Sequence, residues 1–340
     1  MSVTPYPVGL EVRNEKLPLK APFRISGYTF HDSPVTLVIL RDGALEGRGE
    51  ASGVYYLNDT PEKMLATIEA NREAIESGLT REELRRVLPP GGARNALDCA
   101  LWELESRRAG VPVWRLAGIE TPRPLLTTFT VSANEPDAMA EGAKAYTQAR
   151  AIKLKLTGET EVDIERVRAV RTARPDVWLG VDANQGYVPA TLERLLPALV
   201  EAHVSLLEQP CARGHESDLD GIDHAIPIAA DESVQGLDEV DALAGRFDVV
   251  NIKLDKCGGL TEGLLIGERA RALGMKVMVG NMIGTSLAMA PAFVLGQQCD
   301  VVDLDGPIFL VQDRSPGVTY EEGVVRCGDD VWGFAPARPA

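Results

Sequence analysis

Five charged residues recur along this chain at nearly equal intervals, each at or near the end of a short run of apolar residues. Successive members are 22 to 27 residues apart, about one strand plus one helix, and the five are Lys155, Asp182, Glu208, Asp231 and Lys253. In a barrel of parallel strands, the carboxyl ends of the strands meet at one mouth, where such folds keep their catalytic residues. The spacing therefore predicts that five residues distant in sequence converge on one site.

Composition narrows the class of protein. A chain of 340 residues suits two domains, or one large barrel with an added segment. The net charge of −15 argues against nucleic acid or an anionic membrane as a partner. The five cysteines follow no C-x-x-C spacing, which predicts reduced thiols and a cytoplasmic location. The sequence contains neither a recognisable signal peptide nor an apolar run of about 18 residues, so we expect no export and no membrane span.

Residues 1–122 have the pattern of an α+β domain. Three alternating segments predict a β-meander, with Asp42-Gly43 as a turn signal, over Val8–Lys16, Ser33–Arg41 and Gly47–Ala51. Apolar residues at helical spacing then predict helices over Thr60–Glu76, Thr80–Val87 and Arg94–Arg108. A proline-rich stretch around residue 122 marks the boundary of this domain.

Residues 123–315 alternate between strand and helix patterns. Alternation of this kind predicts a parallel sheet, and eight units predict closure into a barrel. The eight predicted strands are Leu125–Val131, Ala151–Leu156, Val177–Asp182, Leu206–Glu208, Ile228–Ala230, Val249–Leu254, Lys276–Val279 and Val301–Asp303. The tail, residues 316–340, has no helical period and is predicted to be extended and to return to the first domain.

Three carboxylates lie at the ends of three consecutive predicted strands: Asp182, Glu208 and Asp231. Neighbouring strands lie about 4.8 Å apart, so three adjacent strand ends can share one ion. Oxygen ligands that leave positions for water and substrate suit Mg²⁺, whereas the absence of nearby His or Cys disfavours zinc. Asn184 and Glu232 flank the three carboxylates and are candidates for groups that support the ligands.

The lysines suit proton transfer. Lys153 and Lys155 are two residues apart on a predicted strand and therefore point to the same side, while Lys253 belongs to a strand across the barrel. A substrate carbon held between Lys155 and Lys253 would meet an amine on each face, which allows racemisation or epimerisation. Burial among cations is expected to lower the pKa values of these lysines. A divalent ion would stabilise the enediolate that forms when a proton α to a carboxylate is removed.

Together these motifs resemble the enolase superfamily in its muconate-lactonizing-enzyme-like subgroup. The resemblance rests on the K-x-K strand, the three carboxylates, NIK with Gly258-Gly259, and the segment Ala93–Gly110. It implies a modified TIM barrel, (β/α)7β, with an α+β capping domain built from both chain ends, and frequent assembly into homo-oligomers. It also implies that Lys155 acts on the L (S) face, that Lys253 acts on the D (R) face, and that Lys153 steadies the substrate carboxylate.

Residues near the ends of the first and eighth barrel strands bear on the substrate. Asp303 and Asp305 are two apart in VVDLDGP, so two anions share one face, and the pair resembles the ammonium-binding aspartates of dipeptide epimerases. Arg24, in the segment PLKAPFRISG, suits an acidic substrate side chain, and Thr130 could bind the terminal carboxylate. Asp305 could also be a turn residue, Arg24 an exposed loop residue and Thr130 a structural one.

The function predicted from these features is that of an isomerase, a Mg²⁺-dependent dipeptide epimerase that inverts the α-carbon of the C-terminal residue, with an Ala-Glu-like dipeptide as the first substrate to test. Two alternatives keep the same metal and lysines. One is an N-acylamino-acid racemase, acting for example on N-acetylglutamate, which would leave the two aspartates without an ammonium partner. The other is a dehydrating lyase, since dehydrating relatives carry both lysines too.

Overall fold

The computed structural model describes residues 6–25 and 28–334, which form three sheets. A long antiparallel sheet comprises β1 (Gly9–Ile25), β2 (Tyr28–Asp42) and β3 (Leu45–Ala51). A parallel sheet comprises β5 (Phe129–Val131), β6 (Ala151–Lys155), β7 (Trp178–Asp182), β8 (Leu206–Glu208), β9 (Ile228–Ala230), β10 (Val249–Lys253), β11 (Lys276–Gly280) and β12 (Val301–Val302). A small antiparallel sheet joins β4 (Leu125–Leu126) to β13 (Thr319–Glu321) and β14 (Val324–Arg326).

The helices fall into two groups, one for each large sheet. Those that accompany the first sheet are α1 (Pro61–Ala70), α2 (Arg72–Glu76), α3 (Arg81–Val87), α4 (Gly92–Ala109) and α5 (Val113–Leu116). Those of the barrel are α6 (Pro136–Ala145), α7 (Thr160–Ala173), α8 (Pro189–Glu201), α9 (Val240–Leu243), α10 (Leu254–Cys257), α11 (Leu260–Ala272) and α12 (Ser286–Gly296). Among the described residues, no helix has both the length and the apolar character that crossing a membrane requires.

The parallel strands follow chain order from β5 to β12, each hydrogen-bonded to the next. The amide of Thr128 donates to the carbonyl oxygen of Val302 at 3.0 Å and so links the first strand to the last. The sheet is therefore curled with its two edges in contact, which removes exposed strand edges. This confirms the predicted parallel barrel beside a separate antiparallel capping sheet.

An apolar layer fills the barrel below its mouth. Leu206, Ala229, Val249 and Met278 pack together there, with Trp178 against them. Except for Met278, each lies an even number of residues before a charged residue at or just after the end of its own strand, and alternate residues of a strand share one face. The apolar residues of this layer and the charged residues at the strand ends therefore lie on the same strand faces, and the charged residues point into the barrel mouth.

The capping sheet packs tightly against α4. Gly47 and Gly49 are two apart on β3 and face this helix, where a Cβ atom on Gly49 would lie 1.9 Å from the carbonyl oxygen of Ala96. The missing side chains allow the helix backbone to lie directly on the strand. The apolar residues of α4, among them Leu97 and Leu104, then complete a core that is separate from that of the barrel.

The tail contacts the start of the barrel segment and the capping sheet. β14 pairs with β4 just before the first barrel strand. Further on, the indole of Trp332 donates to the carbonyl oxygen of Arg48 at 3.0 Å, and the amide of Gly333 donates to Glu103 at 3.1 Å. Glu103 is fully buried in α4 and also accepts from the guanidinium of Arg48. The last described residues thus hold β3 and α4 together.

Three local features differ from the sequence-based expectation. The segment around Arg24 is strand rather than loop, because β1 is an edge strand that tolerates Pro18 and Pro22 through a shift in register. The helix expected over residues 60–76 is interrupted at Asn71. Between β8 and β9 there is a 3₁₀ turn, Glu216–Leu219, where the resemblance implied a full helix. Gly214 and Gly221 flank that turn at positive φ, which stops a helix from extending.

We expect Gly49→Ala to lower the free energy of unfolding by about 1 to 3 kcal/mol, because its methyl group must displace the α4 backbone. Urea denaturation followed by circular dichroism would measure the change. Gly9→Ala is the matched control in the same sheet, since a Cβ there meets only ordinary contacts at 3.8 Å or more. Equal stability of the two variants would show that β3 and α4 can separate at little cost.

Candidate active site

The three carboxylates predicted as metal ligands lie together at the barrel mouth. Asp182 and Glu208 are register partners at the ends of β7 and β8, and Asp231 directly follows β9. Each offers one oxygen, and these oxygens all lie within 4.8 Å of one another. All three side chains are at most 1% exposed. Carboxylates removed from water at this spacing repel each other unless a cation lies between or beside them.

Two of these carboxyl groups, those of Glu208 and Asp231, have shifted pKa values. Burial, together with the charge of Asp182, raises the pKa of Glu208 to about 8. Burial alone would also raise the pKa of Asp231, but the ammonium groups of Lys253 and Lys256 outweigh it and hold that pKa well below its usual range. The positive charge is therefore shared unevenly: two lysines contact Asp231, whereas Glu208 has only Lys153 at 3.5 Å and is the group least able to carry its charge.

The donor set fits a divalent ion with oxygen ligands. Buried polar atoms without a partner cluster here: Asn184 Oδ1, Glu232 Oε2, Asn251 Oδ1 and the hydroxyl of Tyr56. Buried polar atoms are normally hydrogen-bonded, so unsatisfied groups gathered at one place indicate a missing ligand or ordered water. Three hard oxygen ligands with polar groups beside them suit Mg²⁺, which keeps several waters.

Lys155 and Lys253 flank the three carboxylates on opposite sides. Lys155 Nζ lies 2.5 Å from Asp182 Oδ2, and Lys253 Nζ lies 2.6 Å from Asp231 Oδ2. Their strands, β6 and β10, enclose the three strands that carry the carboxylates. A carbon held above the three carboxylates would therefore have one amine on each side, as the two-base arrangement requires.

The expected lowering of the lysine pKa values is wrong for two of them in this state of the site. Burial by itself lowers the pKa of Lys253, but the carboxylates of Asp231 and Glu208 outweigh it and raise this pKa well above its ordinary value. The pKa of Lys153 is raised in the same way, by Asp303 above all. The prediction considered the neighbouring cations and did not include the carboxylates, whose Coulombic interactions raise the pKa values of Lys253 and Lys153.

Lys153 connects the carboxylates to the aspartate pair. Its Nζ is hydrogen-bonded to Asp303 and lies 3.5 Å from Glu208 Oε2 and 4.0 Å from Asp182 Oδ2. It also lines the cavity above the site. This central position is compatible with contact to a substrate carboxylate, which stays a prediction.

Asp303 and Asp305 are both buried and both line the cavity. Asp303 accepts hydrogen bonds from Lys153 and from the hydroxyl of Thr128. Asp305 accepts from the amide of Thr130 at 2.7 Å. Burial and the neighbouring charge of Asp303 raise the pKa of Asp305 to about 6. Asp305 would therefore gain most from a cationic group placed in the cavity.

Thr130 lies beside this pair on β5 and lines the cavity. Its main chain is fully used, since the amide donates to Asp305 and the carbonyl oxygen accepts from Tyr146 at 3.3 Å. The structure thus gives Thr130 a supporting contact with Asp305, and its predicted contact with substrate is untested.

Arg24 is not brought into the site. It lies on β1, its side chain is exposed and it does not line the cavity, whereas its neighbours Phe23 and Ile25 do. Alternation along the strand places the arginine on the outer face. The next two residues of the segment, Ser26 and Gly27, lie outside the described residues.

The cavity has a volume of about 560 Å³ and lies between the capping sheet and the barrel mouth. The capping domain contributes aromatic rings to its wall, with Tyr55 packed edge-on against Phe30 at 5.2 Å between ring centres. Sequence reasoning missed this wall, because aromatic residues of a meander are ordinarily core. It also missed Thr128, although T-F-T places Thr128 and Thr130 on one face of a strand.

Two family profiles match the chain. Residues 8–118 match the mandelate racemase / muconate lactonizing enzyme N-terminal domain, and residues 138–329 match the enolase C-terminal domain-like family. An L-Ala-D/L-Glu epimerase of Escherichia coli (strain K12) is 39% identical over 314 residues, which cover 92% of this chain and 98% of that protein. An N-acetyl-D-glutamate racemase of Pseudoalteromonas is 39% identical over 241 residues, covering 71% and 76%.

A solved structure agrees with these matches. A dipeptide epimerase from Methylococcus capsulatus, complexed with Mg and the dipeptide L-Arg-D-Lys, superposes with a TM-score of 0.89 at 30% identity, covering 95% of this chain and 98% of that one. The matched profiles span most of the chain and the E. coli relative nearly all of it. The chain belongs to the enolase superfamily, among proteins of the mandelate racemase and muconate lactonizing enzyme type.

Proposed function

We propose that this protein is a Mg²⁺-dependent dipeptide epimerase that inverts the α-carbon of the C-terminal residue. One observation carries the proposal: two lysines flank the three carboxylates, and a buried aspartate pair faces the same cavity. The lysines and carboxylates account for proton transfer beside a carboxylate, and the aspartates account for an ammonium group. The similarity to dipeptide epimerases supports the same conclusion.

Asp182, Glu208 and Asp231 would hold the metal ion. When bound there, Mg²⁺ supplies positive charge beside the substrate carboxylate, where negative charge develops as the α-proton leaves. It would also neutralise the negative charge of the carboxylates that form ion pairs with Lys155 and Lys253. Lys253 would then lose the Coulombic interactions that raise its pKa, and burial would act in the opposite direction.

Lys155 and Lys253 would carry out the proton transfer. Lys155 Nζ takes the α-proton from the L face, and Lys253 Nζ returns a proton to the D face, with the roles exchanged in the reverse direction. Lys153 remains near Asp182 and Glu208 and steadies the substrate carboxylate. Because each lysine reaches the site from a different side, removal and return occur on opposite faces, which inverts the centre.

Asp303 and Asp305 would bind the α-ammonium group at the other end of the dipeptide. Asp305 is the stronger candidate, because Lys153 pairs with Asp303 and none of the described residues forms an ion pair with Asp305. Its raised pKa would fall beside an ammonium group. Thr130 would support this end of the site through Asp305.

An N-acylamino-acid racemase is the second candidate. The N-acetyl-D-glutamate racemase is as similar in identity as the E. coli epimerase, over a shorter length. Asp303 is also satisfied by Lys153 and Thr128 without any substrate. The unmatched Asp305 favours the dipeptide, since an acylated nitrogen carries no charge.

Ala-Glu is the first dipeptide to test. Arg24 would have to turn from the outer face of β1 to contact an acidic side chain, so its role is a proposal separate from the epimerase chemistry. A cytoplasmic location and a homo-oligomeric state are further proposals. All five cysteines are unpaired thiols, as expected in a reducing compartment.

Lys253→Ala is expected to reduce epimerisation by about 100- to 10,000-fold, the usual contribution of a positioned acid or base. Exchange of the L-epimer α-proton with deuterium oxide should persist, since Lys155 still serves that face. Mass spectrometry and chiral chromatography would follow exchange and inversion separately. Lys276→Ala, at an exposed position on β11, is the control. Near-normal inversion by Lys253→Ala would exclude the two-base mechanism.

Asp305→Asn is expected to raise KM for L-Ala-L-Glu by roughly 10- to 100-fold, because a hydrogen bond between charged groups contributes about 1.5 to 3 kcal/mol. The KM for N-acetyl-L-glutamate, which lacks the ammonium group, should change much less. Steady-state kinetics with both compounds would measure the ratio. Equal changes for the two substrates would mean that the aspartate pair does not recognise an ammonium group.

Mg²⁺ is expected to stabilise the wild-type protein by about 2.7 kcal/mol at 100 times its dissociation constant. Glu208→Gln should lose most of this gain without losing stability in EDTA. The raised pKa of Glu208 means that its ionisation destabilises the metal-free fold as pH rises from its ordinary pKa to about 8, and glutamine cannot ionise. Thermal unfolding with and without MgCl₂ would test both statements. If MgCl₂ does not change the unfolding midpoint of the wild-type protein, this metal site is ruled out.

A further inference from the structure

A fourth lysine contacts the metal-ligand set from behind. Lys256 lies on α10 and is 1% exposed. Its Nζ lies 2.5 Å from Asp231 Oδ1, is also hydrogen-bonded to the main-chain carbonyl oxygen of Asp231, and lies 3.2 Å from that of Asn251. An ammonium group has three donors, so these three acceptors satisfy it completely.

Lys256 and Lys253 divide the carboxylate of Asp231 between them. Lys253 contacts Oδ2 and lines the cavity, whereas Lys256 contacts Oδ1 and does not. One lysine can therefore reach a substrate and the other cannot. To reach a substrate carbon, Lys253 must leave Asp231 Oδ2. Lys256 then remains as the lysine partner of this buried carboxylate, on the side that faces away from the cavity.

We propose that Lys256 is a positioning residue, which keeps Asp231 oriented and charge-balanced so that Lys253 is free to exchange protons with the substrate. The inference rests on the proposed epimerase function and adds a residue that never touches the substrate. It also gives a reason for the spacing N-I-K-x-x-K in this chain: one turn after Lys253, the chain returns to the opposite side of the same carboxylate.

The fold holds Lys256 in place through the capping domain. Gly258 ends α10 at a φ of 83°, and a Cβ atom there would lie 2.2 Å from Arg94 Nε. The guanidinium of Arg94, on α4, donates to the carbonyl oxygen of Cys257. The turn that carries Lys256 is thus packed between the barrel and α4. This packing suits a residue that keeps its position while Lys253 moves toward the substrate.

The test compares the two faces of the reaction in Lys256→Met. Deuterium incorporation at the α-carbon is measured by mass spectrometry, with Mg²⁺ present, starting from L-Ala-D-Glu, whose proton Lys253 removes, and from L-Ala-L-Glu, whose proton Lys155 removes. We expect the ratio of the first exchange rate to the second to fall at least about tenfold relative to wild type. Lys276→Met, exposed on β11, should leave the ratio unchanged.

A second readout does not depend on activity. Isothermal titration with MgCl₂ should show that Lys256→Met still binds the ion, since all three carboxylates remain. Equal losses of exchange on both faces, an unchanged ratio, or loss of Mg²⁺ binding would each overturn the positioning role. If Lys256→Met does not fold, Lys256→Gln, which removes the charge and keeps an N–H donor, is measured in the same way.

Failure of this inference is distinct from failure of the proposed function. Wild-type protein that exchanges the α-proton of neither dipeptide epimer would remove the epimerase proposal itself. Wild-type exchange on both faces together with a symmetric loss in Lys256→Met would overturn only the role of Lys256.

Discussion

The removal of many charges from water at one barrel mouth is the constraint on which the rest of this structure depends. Buried ions are tolerated only when paired, and here each lysine contacts at least one carboxylate. The pairing is uneven, because Glu208 and Asp305 have raised pKa values while Asp231 is held ionised by two lysines. A divalent ion beside Glu208 and an ammonium group beside Asp305 would each relieve the position where the protein itself supplies too little positive charge.

The capping domain covers this site and forms hydrogen bonds to the segment that follows Lys253. The carboxylate of Asp255, two residues after Lys253, accepts from the amides of Ser52 and Gly53 at 2.9 and 3.2 Å. The same loop then carries Tyr55 and Tyr56 over the cavity. The turn of helix that follows β10 and Lys253 thus also anchors the loop above the cavity. In the same domain, β3 and α4 pack backbone against backbone, since no side chain separates them at Gly49.

Much of the fold was predictable because it follows from local patterns. Every predicted barrel strand has a counterpart, because short apolar runs between amphipathic helices have few other solutions than a parallel barrel. The errors arose where local signals compete with tertiary context. Pro18 and Pro22 favour a loop, yet an edge strand accommodates them. The crossover after β8 lacks a full helix because Gly214 and Gly221 adopt positive φ, which the sequence alone does not reveal.

The sequence by itself determined which residues reach the barrel mouth, because strand periodicity and the length of each strand-helix unit are local properties. It therefore identified Asp182, Glu208, Asp231, Lys155 and Lys253 as a group. Only the tertiary structure decided which charged groups became partners. The pairing of Lys256 with Asp231, the contact of Lys153 with Asp303 and the outward position of Arg24 depend on packing between segments far apart in the chain. The direction of the pKa shift at Lys253 followed from the same packing, since Coulombic interactions sum over spatial neighbours rather than sequence neighbours.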